Sequence, residues 1–147
     1  MNALIVSDVQ NDFCPNGQLA VVDGDETVDP INLMMEDFYT VVLTQDWHPS
    51  GHSSFASSHS LETSSAKKMF YGEQFLWPDQ CVQVSSGAMF HSRLNTLRAD
   101  LIIRKGYQAK IDSFSVFFEN NKKTSTGLGG SLENALTEMK QTKVNLI

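Results

Sequence analysis

At 147 residues and 41% hydrophobic, the chain has the size and composition of one domain with a continuous core. A net charge of -6, with 11 Lys and Arg and no basic run, excludes nucleic acid or an anionic membrane as the main partner and favours a small neutral or cationic ligand. No apolar run reaches membrane-spanning length, and the opening MNALIVSDVQNDF has neither the basic start nor the small-residue cleavage site of a secretory leader, so the expected location is cytoplasmic.

Four short, nearly continuous apolar runs read as buried strands of a parallel sheet: ALIVS at 3–7, TVVLT at 40–44, DLIIR at 100–104 and KVNLI at 143–147. Between the first two, Asp29 and Pro30 predict a helix start, with Ile31, Met34, Met35 and Phe38 forming its apolar stripe. Before the last run, Ser131 predicts a cap for a helix carrying Leu132, Ala135, Leu136 and Met139. The order is βαβ throughout, an α/β class with helices on both faces of the sheet. Residues 45–92 are a long polar connection holding both tryptophans and all four histidines, the kind of segment that carries function. Residues 106–130 are the second irregular stretch; their TGLGG cluster lacks the Gly-Lys-Ser/Thr ending of a phosphate loop and reads as a plain connection.

Ligands of open α/β sheets bind at the carboxyl ends of the strands. The first strand ends in SDVQNDF, the second in TQDWH and the third in IRKG, so Asp8, Asp46, His48 and Lys105 are expected on one rim. Asp46 and His48 are two apart and leave an extended strand on the same face, and His52 follows a Pro-Ser-Gly turn. One carboxylate with two imidazoles suits a catalytic Zn²⁺ or Fe²⁺. The same spacing also occurs in polar loops that bind nothing, Lys105 beside a carboxylate also fits an ordinary ion pair, and Phe13, Trp47 and Trp77 also fit a core. Cys14 and Cys81 are too few for a disulfide scaffold and fit a reducing compartment.

Taken together, DVQNDFCPNGQLAV, QDWHPSGHSSFA, FLWPDQCV, RKG and DSFSVFFEN resemble, in order and approximate spacing, the nicotinamidases of the isochorismatase-like hydrolase superfamily. The resemblance implies a three-layer α/β/α fold with a parallel sheet of strand order 3-2-1-4-5-6. It also implies hydrolysis of nicotinamide to nicotinic acid and ammonia in NAD salvage. Asp8 matches the acid-base carboxylate that moves the proton of a cysteine nucleophile, and Lys105 the lysine that completes the catalytic three. Asp46, His48 and His52 match the metal block, where a divalent ion, zinc or iron with manganese as a third candidate, holds the pyridine nitrogen. Phe13 and Trp77 match the walls that flank the ring.

Two departures qualify that transfer. Gln80 stands where the family usually has a histidine ligand, and its neutral carbonyl predicts weaker metal binding. The family's nucleophilic cysteine follows the fourth strand, which here ends the sequence, and neither Cys14 nor Cys81 is expected to replace it. Residues 1–147 are therefore expected to form a single incomplete domain, the isochorismatase-like fold missing its last two strands. KVNLI would then be an exposed edge open to self-association or to pairing with another chain. Alternative readings are an inactive remnant that at most binds metal and pyridine, or a superfamily hydrolase of another amide.

Overall fold

In the computed structural model, residues 2–124, 126 and 145–146 are described. The strands in chain order are β1 (Asn2–Val6), β2 (Thr40–Asp46), β3 (Ala66–Met69), β4 (Gly72–Phe75), β5 (Leu101–Lys105) and β6 (Asn145–Leu146), with one α-helix among the described residues, α1 (Val28–Met35). The β-branched and leucine runs form the parallel sheet that their covered faces require, in the order β5-β2-β1-β6. That order matches the first four strands of the expected 3-2-1-4-5-6. The glycine cluster and the helix expected from Ser131 lie outside the described residues, except for Thr126.

Alternation along β2 divides the core. Val41 and Leu43 face α1 and pack with Val6, Val9, Val28, Met35 and Leu94. Val42 faces the opposite side with Ile103, Val116, Ile5 and Phe117. Every β2 residue after Thr40 is buried, as expected for a central strand covered on both faces. β2 runs two residues further than its apolar run suggested, because parallel pairing with β5 continues through Gln45↔Arg104 and Asp46↔Lys105. Backbone pairing thus carries two polar residues into the sheet.

The helix differs from expectation at its start. It begins at Val28 rather than at Pro30, because a 3-10 turn over Gly24–Thr27 runs directly into it. Pro30 then lies in the first turn, where a missing N–H costs no hydrogen bond. The buried stripe is Val28, Ile31 and Met35, while Met34 turns to solvent at 46% exposure.

The long connection after β2 is more structured than its polar composition indicates. Residues 66–75 close an antiparallel hairpin, β3 against β4. Isolated bridges His48↔Val82, Phe55↔Trp77 and Gln10↔Phe90 tie the rest to the rim. Buried loop backbone needs such partners. Among the described residues no helix is long and apolar enough to cross a membrane.

Leu43 is fully buried in the α1-side cluster. Leu43→Ala is expected to cost about 2–5 kcal/mol of stability by urea unfolding. A loss below 1 kcal/mol, within about the range of a surface change, would mean that this cluster is not the core.

Candidate active site

The register Asp46↔Lys105 sets two charged side chains on the same face of adjacent strand ends. Lys105, 3% exposed, donates to Asp46 Oδ1 and lies 3.0 Å from Asp8 Oδ2. Asp8 follows the end of β1, with its backbone in the left-handed region at φ +54, a conformation that non-glycine residues adopt at a cost and that recurs at functional sites. Thr44 holds it there: its hydroxyl donates to Asp8 Oδ1 at 2.7 Å, and the Asp8 N–H returns to Thr44. Three strand ends therefore meet at one ammonium.

Two carboxylates share that single cation in a nearly dry place. Burial pushes the Asp46 carboxyl above its ordinary range, against the pull of Lys105, and Asp8 adds to the push. For Lys105 burial works against the charge, but Asp46 and Asp8 outweigh it, and the ammonium holds its proton above the usual lysine range.

Two residues to which sequence patterns assign no role hold this rim. Gln10, fully buried, donates through Nε2 to the carbonyls of Asp46 and Ala88 and accepts the Asp46 N–H at 2.7 Å, fixing where β2 ends. Asp12 accepts the N–H groups of Cys81 at 2.6 Å and Gln18 at 3.1 Å, tying the segment after β1 to the Gln80–Cys81 turn. Both lie in DVQNDF, but no spacing rule distinguishes a side chain that binds backbone from one that faces a ligand.

The histidines fall into a different group from the one expected. His48, His52 and Asp112 offer ligand atoms within 4.8 Å of one another, close enough to hold one divalent ion, whereas Asp46 is engaged with Lys105. Asp112 opens the DSFSVFFEN block without a local signal for this place; it comes from a remote loop, and only the fold brings it beside His48. His48 Nε2 donates to Asp112 Oδ1 at 3.2 Å. Against the push of burial, the hydrogen bonds from His48 and the Ser113 N–H keep the Asp112 carboxyl below its ordinary range. Both nitrogens of His52 have protein partners: Nδ1 accepts the Ser54 N–H, and Nε2 donates to the carbonyls of Gln108 and Ile111. Burial, then the neighbouring His48, lowers the His52 pKa and keeps the ring neutral. Gly106, at φ +69, leaves the gap the His48 ring needs, since a Cβ there would lie 2.7 Å from His48 Nε2.

Three buried polar atoms lack any protein partner among the described residues: His48 Nδ1, Gln80 Oε1 and the hydroxyl of Ser53, next in sequence to His52. An unpaired buried nitrogen and carbonyl are costly unless something binds them, and each is an atom type that can ligate a divalent ion.

A cavity of about 210 Å³ opens beside the rim, lined by Phe13, Leu19, Asp46, Trp77, Gln80, Lys105 and the segment Asp112 to Phe114. It brings both expected aromatic walls to the charged cluster, and Phe114 adds an edge-on contact to Trp77 at 6.2 Å. Neither cysteine is poised as a nucleophile. Burial and the surrounding carboxylates push the Cys81 thiol well up, and burial with Asp25 raises Cys14.

No protein-family model matches the chain. It is 48% identical over 132 residues to the nicotinamidase of Acinetobacter baylyi, covering 89% of this chain and 62% of that protein, so it spans less than two thirds of that relative's length. Among solved structures, a nicotinamidase-pyrazinamidase of Acinetobacter baumanii superposes with a TM-score of 0.86 at 48% identity, over 90% of this chain and 65% of that one. The yeast nicotinamidase bound to the inhibitor nicotinaldehyde superposes with a TM-score of 0.83 at 31% identity, over 100% of this chain and 74% of that one. A pyrazinamidase of Pyrococcus horikoshii in complex with zinc is more distant, with a TM-score of 0.63 at 27% identity, over 99% of this chain and 67% of that one.

Replacing Lys105 leaves the buried Asp46 and the half-buried Asp8 without their shared cation. Lys105→Met is expected to cost about 3–5 kcal/mol at pH 8 and clearly less at pH 5. Without the ammonium the folded-state pKa of Asp46 rises further above its unfolded value, so the folded chain binds more protons and stability falls as pH rises through that window. Urea unfolding at the two pH values checks this. An equal loss at both would mean that the ammonium does not neutralise the cluster.

Proposed function

The chain belongs to the nicotinamidase family, and from that premise we propose that residues 1–147 supply the proton shuttle, the metal site and the ring cavity of an amidohydrolase that converts nicotinamide to nicotinic acid and ammonia. The observation that carries this reading is the adjacency of the Asp8–Lys105–Asp46 cluster to an aromatic cavity of about 210 Å³. That volume lies below the range of about 300–1,000 Å³ typical of drug-sized pockets and suits one six-membered ring with a carboxamide. The nicotinaldehyde bound by the yeast relative is a ligand of the same shape.

In this reading Asp8 takes the proton of the attacking thiol and returns it to the departing ammonia. Its geometry suits a proton carrier, since one oxygen faces Lys105 and the other accepts from Thr44, so the carboxylate is oriented but still partly open, with 19% of its side chain exposed. Lys105 keeps charge near the shuttle constant while the proton moves. Phe13 and Trp77 stack on the two faces of the ring, and their apolar lining excludes water from the amide. The thiol is not supplied by Cys14 or Cys81, whose raised pKa values leave little thiolate.

For the metal, His48 through Nδ1 and Gln80 through Oε1 are ligating atoms without a protein partner among the described residues. Asp46 Oδ1 is engaged by Lys105, and no described residue bonds to Oδ2, which leaves it for a third contact. The Pyrococcus horikoshii relative is in complex with zinc, which supports a divalent ion as a ligand of this family. When bound, such an ion supplies a Lewis acid that takes the pyridine nitrogen and orients the amide. Gln80 as an amide carbonyl favours iron or manganese relative to an all-imidazole site and weakens zinc.

Nicotinamide and nicotinic acid should quench Trp77 fluorescence in the 147-residue chain, while an aliphatic amide should not. Phe13→Ala should weaken that binding by about 3- to 10-fold, as the loss of one aromatic pair implies. The same chain should release no ammonia above background. Equal quenching by all amides would remove the case for a pyridine substrate, and ammonia release lost on Cys14→Ser would make Cys14 the nucleophile.

A further inference from the structure

Asp112 holds more hydrogen bonds than a surface carboxylate needs. Its Oδ1 accepts the Ser113 N–H at 2.8 Å as well as His48 Nε2 at 3.2 Å, and its Oδ2 accepts Gln74 Nε2 at 3.1 Å. Gln74, 2% exposed, is itself fixed, since its Oε1 accepts from Asn120 Nδ2 at 3.1 Å and the Tyr71 hydroxyl at 3.2 Å. The hairpin strand β4 thus holds Asp112 from behind, and Asp112 faces an imidazole that is 1% exposed.

This geometry selects one tautomer of His48. An ionised carboxylate only accepts, so the ring proton sits on Nε2 and the lone pair on Nδ1. The other tautomer would set the Nε2 lone pair against Asp112 Oδ1 and leave an Nδ1–H buried with no acceptor, since Nδ1 has no partner among the described residues. The backbone prevents the ring from escaping. The His48 N–H is bonded to the Cys81 carbonyl at 3.0 Å, and the ring edge occupies the space that Gly106 leaves open.

Resting on the metal reading above, we propose that Asp112 is a positioning residue: it fixes His48 as the Nε2–H tautomer so that Nδ1 is the atom presented to the ion, and it is not itself a ligand. Both of its oxygens are already engaged by protein donors, and His52, the third member of the group, has both nitrogens engaged too. Of the three, His48 alone keeps a nitrogen for an ion, one without a protein partner among the described residues, and Asp112 is its support. A carboxylate behind a histidine in this way raises its basicity toward the metal.

The test uses the full 147-residue chain, ¹⁵N-labelled and metal-free. Long-range ¹H–¹⁵N correlation should find His48 protonated at Nε2 and bare at Nδ1 in the parent chain, a readout that needs no variant to fold. Asp112→Asn, nearly isosteric but able to donate, should lose that bias and raise the Zn²⁺ dissociation constant, measured by chelator competition, by about 10- to 100-fold. Asp112→Glu should restore the tautomer and part of the affinity. Protonated Nδ1 in the parent chain, or unchanged affinity in Asp112→Asn, overturns the proposal. Loss of Zn²⁺ binding in Asp112→Asn as complete as in His48→Ala would make Asp112 a ligand and overturn it too. A parent chain that keeps the Nε2–H tautomer but takes up no Zn²⁺ overturns the metal reading, and with it the ligand role of Nδ1. A protonated Nδ1 with Zn²⁺ still bound removes only the role of Asp112.

Discussion

Lys105 has its ammonium buried between the carboxylates of Asp8 and Asp46, and the position of each partner follows from how the sheet is built. Asp46 is there because β2 and β5 pair in parallel through their last residues, and Asp8 because the chain after β1 turns through a left-handed residue toward Thr44. A slip of one residue in the β2–β5 register would turn Lys105 to the opposite face and leave the buried Asp46 and the half-buried Asp8 without a cation. The cluster thus makes the correct register also the one that satisfies its charges. The cavity walls then follow, because the loops carrying Phe13, Trp77 and Phe114 leave from the same rim.

The same rim shows how polar residues are kept inside a small fold. Gln10 and Asp12 spend their side chains on backbone groups that would otherwise be buried without partners, and so hold two loops without facing a ligand themselves. At His48 Nδ1, Gln80 Oε1 and the Ser53 hydroxyl, by contrast, no protein partner is present among the described residues. Satisfied and unsatisfied groups within one shell separate the residues that build the site from those that use it.

Much of this was legible in the sequence. The runs at 3–7, 40–44 and 100–104 became β1, β2 and β5 with ends shifted by one or two residues, and their polar termini met as the strand-end rule required. Asp8, Asp46 and Lys105 converged, and Phe13 and Trp77 reached the same cavity. What resisted reading depends on contacts distant in the chain. Asp112 is 64 residues from His48 and carries no local signal of that partnership. The hairpin at 66–75 lies in a polar stretch whose alternation is short, and its buried Gln74 has a purpose only once Asp112 is beside it. Met34 obeyed helical spacing but turns to solvent, while Val28, Ile31 and Met35 make the contacts with the core.

The central claim is that the carboxyl ends of β1, β2 and β5 form a ring-binding site, and a second, larger hollow of about 570 Å³ lined by Tyr71, Phe114 and Phe118 offers a direct contrast. The measurement that separates them is the set of intermolecular nuclear Overhauser effects from the ring protons of bound nicotinamide. Contacts to the aromatic protons of Phe13 and Trp77 are the expected result. Contacts to Tyr71 and Phe118 with none to Phe13 would contradict the account, because the ring would then lie outside the rim that Lys105 holds together.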